Sequence, residues 1–221
     1  MRKALVTGGS RGIGEAIAEV LRAQGVEVVT PWRNELDLSD SSSIDRFTEK
    51  YREVGFDILV NNAGINLLSS LDDLSDVDWQ QMVQINLTAP MQLMQAFTPG
   101  MKARGWGRVV NVSSVFALVT KEKRISYSAT KSGLLGATRT AAVELAPYGV
   151  LVNAVCPGYV ETELTRQNNS PQDLAQIAES IPMQRLAKPF EIASFVAFLC
   201  SEQNTYLTGQ TIAVDGGFTC K

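Results

Sequence analysis

At 221 residues the chain is long enough for one large domain with its own core, and 45% hydrophobic with 19% charged side chains is a globular balance. A net charge of −3 leaves no basic footprint for nucleic acid, and no apolar run reaches the length of a membrane span. The chain has no histidine, which excludes histidine triads, histidine metal sites and a histidine general base, so acid–base chemistry falls to Tyr, Lys, Cys or carboxylates.

Met1-Arg2-Lys3 runs straight into an apolar strand at 4–7 with no secretory h-region, so a cytoplasmic location is expected. Next comes Thr7-Gly8-Gly9-Ser10-Arg11-Gly12-Ile13-Gly14. A helix at 14–23 follows, because Ile13, Ile17, Val20 and Leu21 recur at helical spacing. Strand, glycine loop, helix places free backbone N–H groups and a positive helix end against a phosphate. Gly8, Gly12 and Gly14 lack a Cβ, so a pyrophosphate can approach the backbone and the helix can pack on the strand.

Further strands are predicted at 26–30, 58–61, 107–112, 151–155 and 211–214, alternating with amphipathic stretches at 41–51, 76–103, 126–146 and 190–199. Such alternation predicts an α/β fold over residues 1–221, a doubly wound, mostly parallel, Rossmann-like sheet in a single domain. Between Thr30 and Asp37 only Pro31 to Leu36 intervene, too short for a crossover helix. The helix between the second and third strands is therefore missing, and the third strand is expected as a stub around 36–38, leaving the pocket edge more open. Cys156, Cys200 and Cys220 lie far apart with no C-x-x-C pair, so reduced thiols and no metal site are expected.

Asn61-Asn62-Ala63-Gly64 closes one strand, Asn86 lies in a helix and Ser113-Ser114 closes the next strand. Tyr127 and Lys131 are one helical turn apart on the same face. Pro157-Gly158-Tyr159-Val160-Glu161-Thr162 and Val214-Asp215-Gly216-Gly217 complete the series. With these motifs in this order, the chain resembles the classical short-chain dehydrogenases/reductases over essentially its whole length. The resemblance implies Ser114, Tyr127, Lys131 and Asn86 as the catalytic set, with Tyr127 the acid/base. It implies a dinucleotide held by the glycine loop (Gly8, Ser10, Arg11, Gly12, Ile13, Gly14) and, beyond the second strand, by Arg33, Asp37 and Leu38. Asn62, Ala63 and Gly64, then Tyr127 and Lys131, and finally Pro157, Gly158, Val160 and Thr162 would complete that site.

The chemistry suits these residue types. A ketone takes a hydride at carbon and a proton at oxygen, and a free phenol with a pKa of about 10 gives up its proton reluctantly. The Lys131 ammonium is expected to lower the phenol and hold the nicotinamide ribose. Ser114 would bond the substrate oxygen as charge develops, and Asn86 would hold a water linking Lys131 to solvent. Glu144 reads as a solvated helix residue and Cys156 as a core thiol.

In NAD-using members of the resembled family the ribose acid falls where this chain has Trp32, whose indole only donates. Arg33 matches the arginine of NADP-using members, and Arg11 is a second cation nearby, so NADPH is expected. Asp37 resembles the family's adenine contact. The nearest resemblance within the family is to 3-oxoacyl-acyl-carrier-protein reductases, implying interconversion of a small-molecule ketone and a secondary alcohol. Two features depart from them. The bases used for carrier docking are reduced to Lys102 and Arg104 before Gly105-Trp106, and Ala146-Pro147-Tyr148-Gly149 has none. The segment between Ser114 and Tyr127 carries Lys121-Glu122-Lys123-Arg124, read as a solvated loop, with an anionic substrate as the functional alternative.

The polar segment 163–181 reads as a loop closing over a hydrophilic substrate. A sugar or sugar-nucleotide oxidoreductase is thus the alternative, and a non-catalytic dinucleotide-binding regulator is disfavoured by the intact catalytic set. Leu134, Leu135, Ala137, Ala141, Ala142 and Leu145 give the helix at 126–146 more apolar face than one sheet needs. With the terminal region around Val214 and Phe218, the resemblance implies a homotetramer built from two different two-fold interfaces.

Overall fold

The computed structural model describes residues 1–220. Its strands are β1 (Lys3–Val6), β2 (Glu27–Val29), β3 (Ile58–Asn61), β4 (Gly107–Val112), β5 (Val150–Pro157) and β6 (Thr211–Val214). They form one parallel sheet in the order β2-β1-β3-β4-β5-β6. The helices are α1 (Gly12–Ala23), α2 (Ser41–Tyr51), α3 (Asp76–Val83), α4 (Ala89–Arg104), α5 (Ile125–Leu145), α6 (Glu163–Gln167), α7 (Pro171–Ser180) and α8 (Pro189–Cys200). Among the described residues no helix is long and apolar enough to cross a membrane.

Period-two alternation divides the strands between two cores. Ala4, Val6, Ile58, Val60, Val110 and Val112 pack against Ile17 and Leu21 of α1 and Ile192 and Val196 of α8. Leu5, Leu59, Val109, Val150 and Val152 point the other way, against α2, α4 and α5. Both faces are covered, which is why the strands read as continuous apolar runs. This is the single-domain, doubly wound, Rossmann-like sheet expected.

Residues 36–38 form no strand, and β2 is the sheet's edge. The connection is too short for a crossover, and it turns back instead. The Trp32 carbonyl accepts from the N–H groups of Glu35 (2.9 Å) and Leu36 (3.0 Å). Leu36 and Leu38 then bury with Ile44 and Phe47 on one face of the sheet.

The helix expected over 76–103 is broken by a π-turn, Gln84–Thr88. Pro90 has no N–H to return to the Asn86 carbonyl, and Ala89 donates five residues back, to Gln84. The wider turn holds Asn86 fully inside the protein. The polar segment 163–181 is largely helical rather than a loop, with α7 started by a reciprocal Ser170–Asp173 capping box. The apolar stripe of α5 is mostly internal: Leu134, Leu135, Ala142 and Leu145 are buried in this chain's own core.

Candidate active site

β1, β3, β4 and β5 deliver their C-terminal loops to one side, where these line a single cavity of about 450 Å³. The chain passes from β1 to β2 in one direction and to β3 in the other, so the loops after β1 and β3 part and leave a crevice.

The glycine loop forms one wall. Gly8 and Gly12 have positive φ (64° and 60°), a conformation open to glycine at little cost. A Cβ on Gly14 would lie 2.2 Å from the Gly8 carbonyl oxygen, a backbone atom that cannot give way. No side chain caps α1 at Arg11, so the first N–H groups of the helix are left to an anion in the cavity. Asn62 holds the loop from behind. Its Nδ2 donates to the carbonyls of Thr7 (3.0 Å) and Gly8 (3.2 Å), while Thr7 Oγ1 accepts from the N–H groups of Asn62 and Ala63. These features fit a dinucleotide pyrophosphate.

Pro31, Trp32, Arg33, Leu36, Asp37 and Leu38 form the next wall. Arg33 Nε donates to Asp37 at 3.2 Å. The other Asp37 oxygen accepts from the Ser39 N–H and hydroxyl, and these bonds hold the carboxyl below its ordinary range. Arg11 pairs with Glu163 at the start of α6, joining the glycine loop to the segment over the cavity.

Ser114, Tyr127 and Lys131 line the same cavity. The Ser113 hydroxyl donates to the Lys131 carbonyl (3.0 Å), fastening α5 to the end of β4. Lys131 Nζ donates to the Val112 carbonyl at 2.8 Å and lies 5.8 Å from the Tyr127 ring centre. Burial draws the Lys131 ammonium down to about 8. Burial also pushes the Tyr127 phenol up, against the opposing effects of the Ser114 hydroxyl and the Arg124 charge. The phenol is therefore shifted up rather than down as expected from Lys131, because desolvation outweighs the Ser114 hydrogen bond and the Arg124 charge. Near neutral pH the phenol keeps its proton.

Asn86 is not on the cavity wall. Its Oδ1 accepts from the Ile65 N–H (2.9 Å) and its Nδ2 donates to the Ile65 carbonyl (2.9 Å). Both ends of the side-chain amide are engaged within the fold. It shapes the wall indirectly, clamping the loop after β3. Gly64 fits between this clamp and the site, since a Cβ there would come within 3.1 Å of Asn86 Oδ1 and 3.3 Å of Lys131 Nζ.

Pro157, Gly158, Val160 and Thr162 close the cavity beyond β5. A Cβ on Gly158 would lie 2.8 Å from the Asp215 Cα, and Asp215 itself accepts from the N–H groups of Gly217 and Thr219. Thr162 caps α6 and lies against Gly12. Every expected site residue except Asn86 lines this one cavity.

Sequence reasoning missed Gln81 and Ile85, which reach the cavity from α3 and the π-turn, and Ile65 and Glu163. It also misplaced Arg124 within the charged run. Lys121, Glu122 and Lys123 are exposed, but Arg124 is only 3% exposed. No spacing distinguishes it, although its place three residues before Tyr127 puts it one turn away.

Residues 31–219 match the family model described as Enoyl-(Acyl carrier protein) reductase. A 3-oxoacyl-(acyl-carrier-protein) reductase of Aquifex aeolicus is 40% identical over 237 residues, spanning 96% of this chain and 95% of that protein. The TT0495 protein from Thermus thermophilus is 40% identical with a TM-score of 0.91, covering 100% of this chain and 99% of the other. A solved short chain dehydrogenase/reductase family protein is 35% identical with a TM-score of 0.90, covering 98% and 97%. With the glycine cradle and the matched chain lengths, these likenesses establish that the protein belongs to the short-chain dehydrogenase/reductase family, oxidoreductases that bind a nicotinamide dinucleotide.

Proposed function

We propose that the protein is an NADPH-dependent reductase that converts a ketone to a secondary alcohol, with Tyr127 as proton donor. The observation that carries this is the convergence of the glycine cradle and the Ser114–Tyr127–Lys131 group on one cavity. Bound NADPH supplies a hydride to the carbonyl carbon. Tyr127 gives its phenolic proton to the carbonyl oxygen, and the Ser114 hydroxyl donates to the same oxygen as negative charge grows there. Lys131, anchored on the Val112 carbonyl, holds the nicotinamide ribose and keeps positive charge behind the phenol as it ionises. Asn86 positions the Ala63–Ile65 wall. The test is hydride transfer from NADPH to a small ketone, developed at the end of the Discussion.

The relatives' names favour a 3-oxoacyl skeleton, a ketone two carbons from a carboxyl-derived group. The surface used by such enzymes for a carrier protein is poorly provided here. Arg104 turns inward to Asp57 and the Phe56 carbonyl, and Lys102 lies over the Tyr148 ring at 4.3 Å. A small-molecule substrate fits this better than a carrier-linked one. The three free thiols, two of them buried, accord with a cytoplasmic protein.

The assembly we propose is a homotetramer. Val143 is 77% exposed on α5 and Met91 is exposed on α4, so both outer faces retain apolar surface, and β6 is an unpaired edge. Light scattering at micromolar protein should give the mass of four chains. A dimer would remove the β6 contact from the assembly, and a monomeric mass would refute it altogether.

A further inference from the structure

The walls of the cavity follow the strand order across the sheet. Residues 31–38 come after β2, the glycine loop after β1, residues 62–65 after β3 and Ser114 after β4. The wall at 31–38 is thus three strand spacings from Ser114, about 14 Å. A pyrophosphate on the glycine loop with its nicotinamide at Tyr127 leaves the far base of the dinucleotide to that wall.

Trp32 differs from its neighbours there. Its indole is 66% exposed, whereas Leu36 and Leu38 of the same wall are buried. The backbone beneath it is fixed. Its carbonyl accepts from the N–H groups of Glu35 and Leu36, and its own N–H donates to the Glu35 carboxylate at 3.3 Å. Trp106 shows an indole whose face is taken, with the guanidinium carbons of Arg2 and Arg108 at 3.7 Å and 4.4 Å from its ring. Among the described residues no ring or cation covers Trp32 in that way. A lone exposed aromatic is ordinary on an open surface. One that lines a ligand cavity, on a pinned backbone, offers a flat apolar face to a planar group.

We infer that Trp32 holds the adenine of the cofactor against its indole face, so that the site recognises the base by its flat surface and not by its edge groups. Both Asp37 oxygens already accept, one from Ser39 and the other from Arg33, whereas a stack asks for no proton from either side. Stacking on an aromatic side chain is tolerant, because every base has a π-face. The inference rests on the dinucleotide site of the proposed reaction. It is independent of the 2′-phosphate contact at Arg33, since NADPH and NADH carry the same base.

The experiment compares the wild type, Trp32→Phe and Trp32→Ala by fluorescence titration with NADPH and with NADH. Trp32→Ala should weaken both cofactors by the same factor, about tenfold, the scale of one base–aromatic stack. Trp32→Phe should restore most of that loss. Melting temperatures should match the wild type, because the side chain removed is exposed. Reduced nicotinamide mononucleotide, which lacks the adenosine half, should bind all three proteins alike. Replacing adenine by hypoxanthine in NADPH turns the amino donor of the base into a carbonyl acceptor, and wild-type affinity should change by less than about threefold. Unchanged binding in Trp32→Ala, a loss confined to NADPH, or an equal loss for the mononucleotide would overturn the assignment. A large loss with hypoxanthine would overturn it in favour of the Asp37 carboxylate. Dinucleotides that respond to Trp32→Ala in a protein that reduces no ketone would sustain Trp32 and sink the proposed reaction.

Discussion

Replacing Tyr127 by phenylalanine should lower ketone reduction by about a hundredfold or more, the scale of general acid catalysis, while NADPH still binds. Tyr127 carries the ionisable hydroxyl in the cavity beside Ser114 and Lys131, and the chain has no histidine to replace it. Phenylalanine keeps the ring that stacks edge-on with Phe116, so packing is preserved and the proton alone is lost. The wild-type pH profile carries the same signature. Burial raises the phenol, so the donor form is present at neutral pH. Lys131, drawn down to about 8, loses its charge as pH rises through that value. Reduction should therefore decline above pH of about 8, while oxidation of the alcohol, which needs the phenolate, should gain only at higher pH, where the raised phenol itself ionises. Near-normal turnover in Tyr127→Phe would show that another group supplies the proton.

Arg33→Ala should weaken NADPH binding about tenfold and leave NADH nearly unchanged. Arg33 is well exposed, so the value sits at the low end for a charged hydrogen bond, ~1.5 kcal/mol. Its Nε is bonded to Asp37, and the residue lines the cavity beyond β2, where the proposed ribose 2′-phosphate would be met. Trp32 beside it cannot accept from a ribose hydroxyl, and Asp37 is already engaged by Ser39 and Arg33. Titration of nicotinamide fluorescence with both cofactors decides the matter. Equal losses, or an NADH preference in the wild type, would mean that Asp37 serves the ribose instead.

Much of the site was legible because its chemistry is local. Gly8, Gly12 and Gly14 are required by one tight turn, and Tyr127 and Lys131 share a helix face by spacing alone. The four central strands, β1, β3, β4 and β5, were legible because each is a largely apolar run covered on both faces. What failed depended on partners distant in sequence. A strand at 36–38 needed a neighbour to pair with, and a connection of six residues could not carry the chain there. The break at Gln84–Thr88 follows from the missing N–H of Pro90, but the turn of Asn86 onto Ile65 depends on a loop twenty-one residues away. The small-residue stripe of α5 could not say which residues its own sheet would cover. Arg124 differs from Lys121 and Lys123 only in what folds over it.

The central claim is hydride transfer to a ketone from NADPH, and isotope tracing tests it most directly. Wild-type protein is mixed with NADPH deuterated on the nicotinamide ring and a panel of 3-oxo acids, esters and thioesters, and the products are read by mass spectrometry. The expected result is a secondary alcohol carrying deuterium at the former carbonyl carbon, formed faster than with deuterated NADH. Tight NADPH binding with no deuterium in any product would contradict the account and leave a dinucleotide-binding protein without this catalysis.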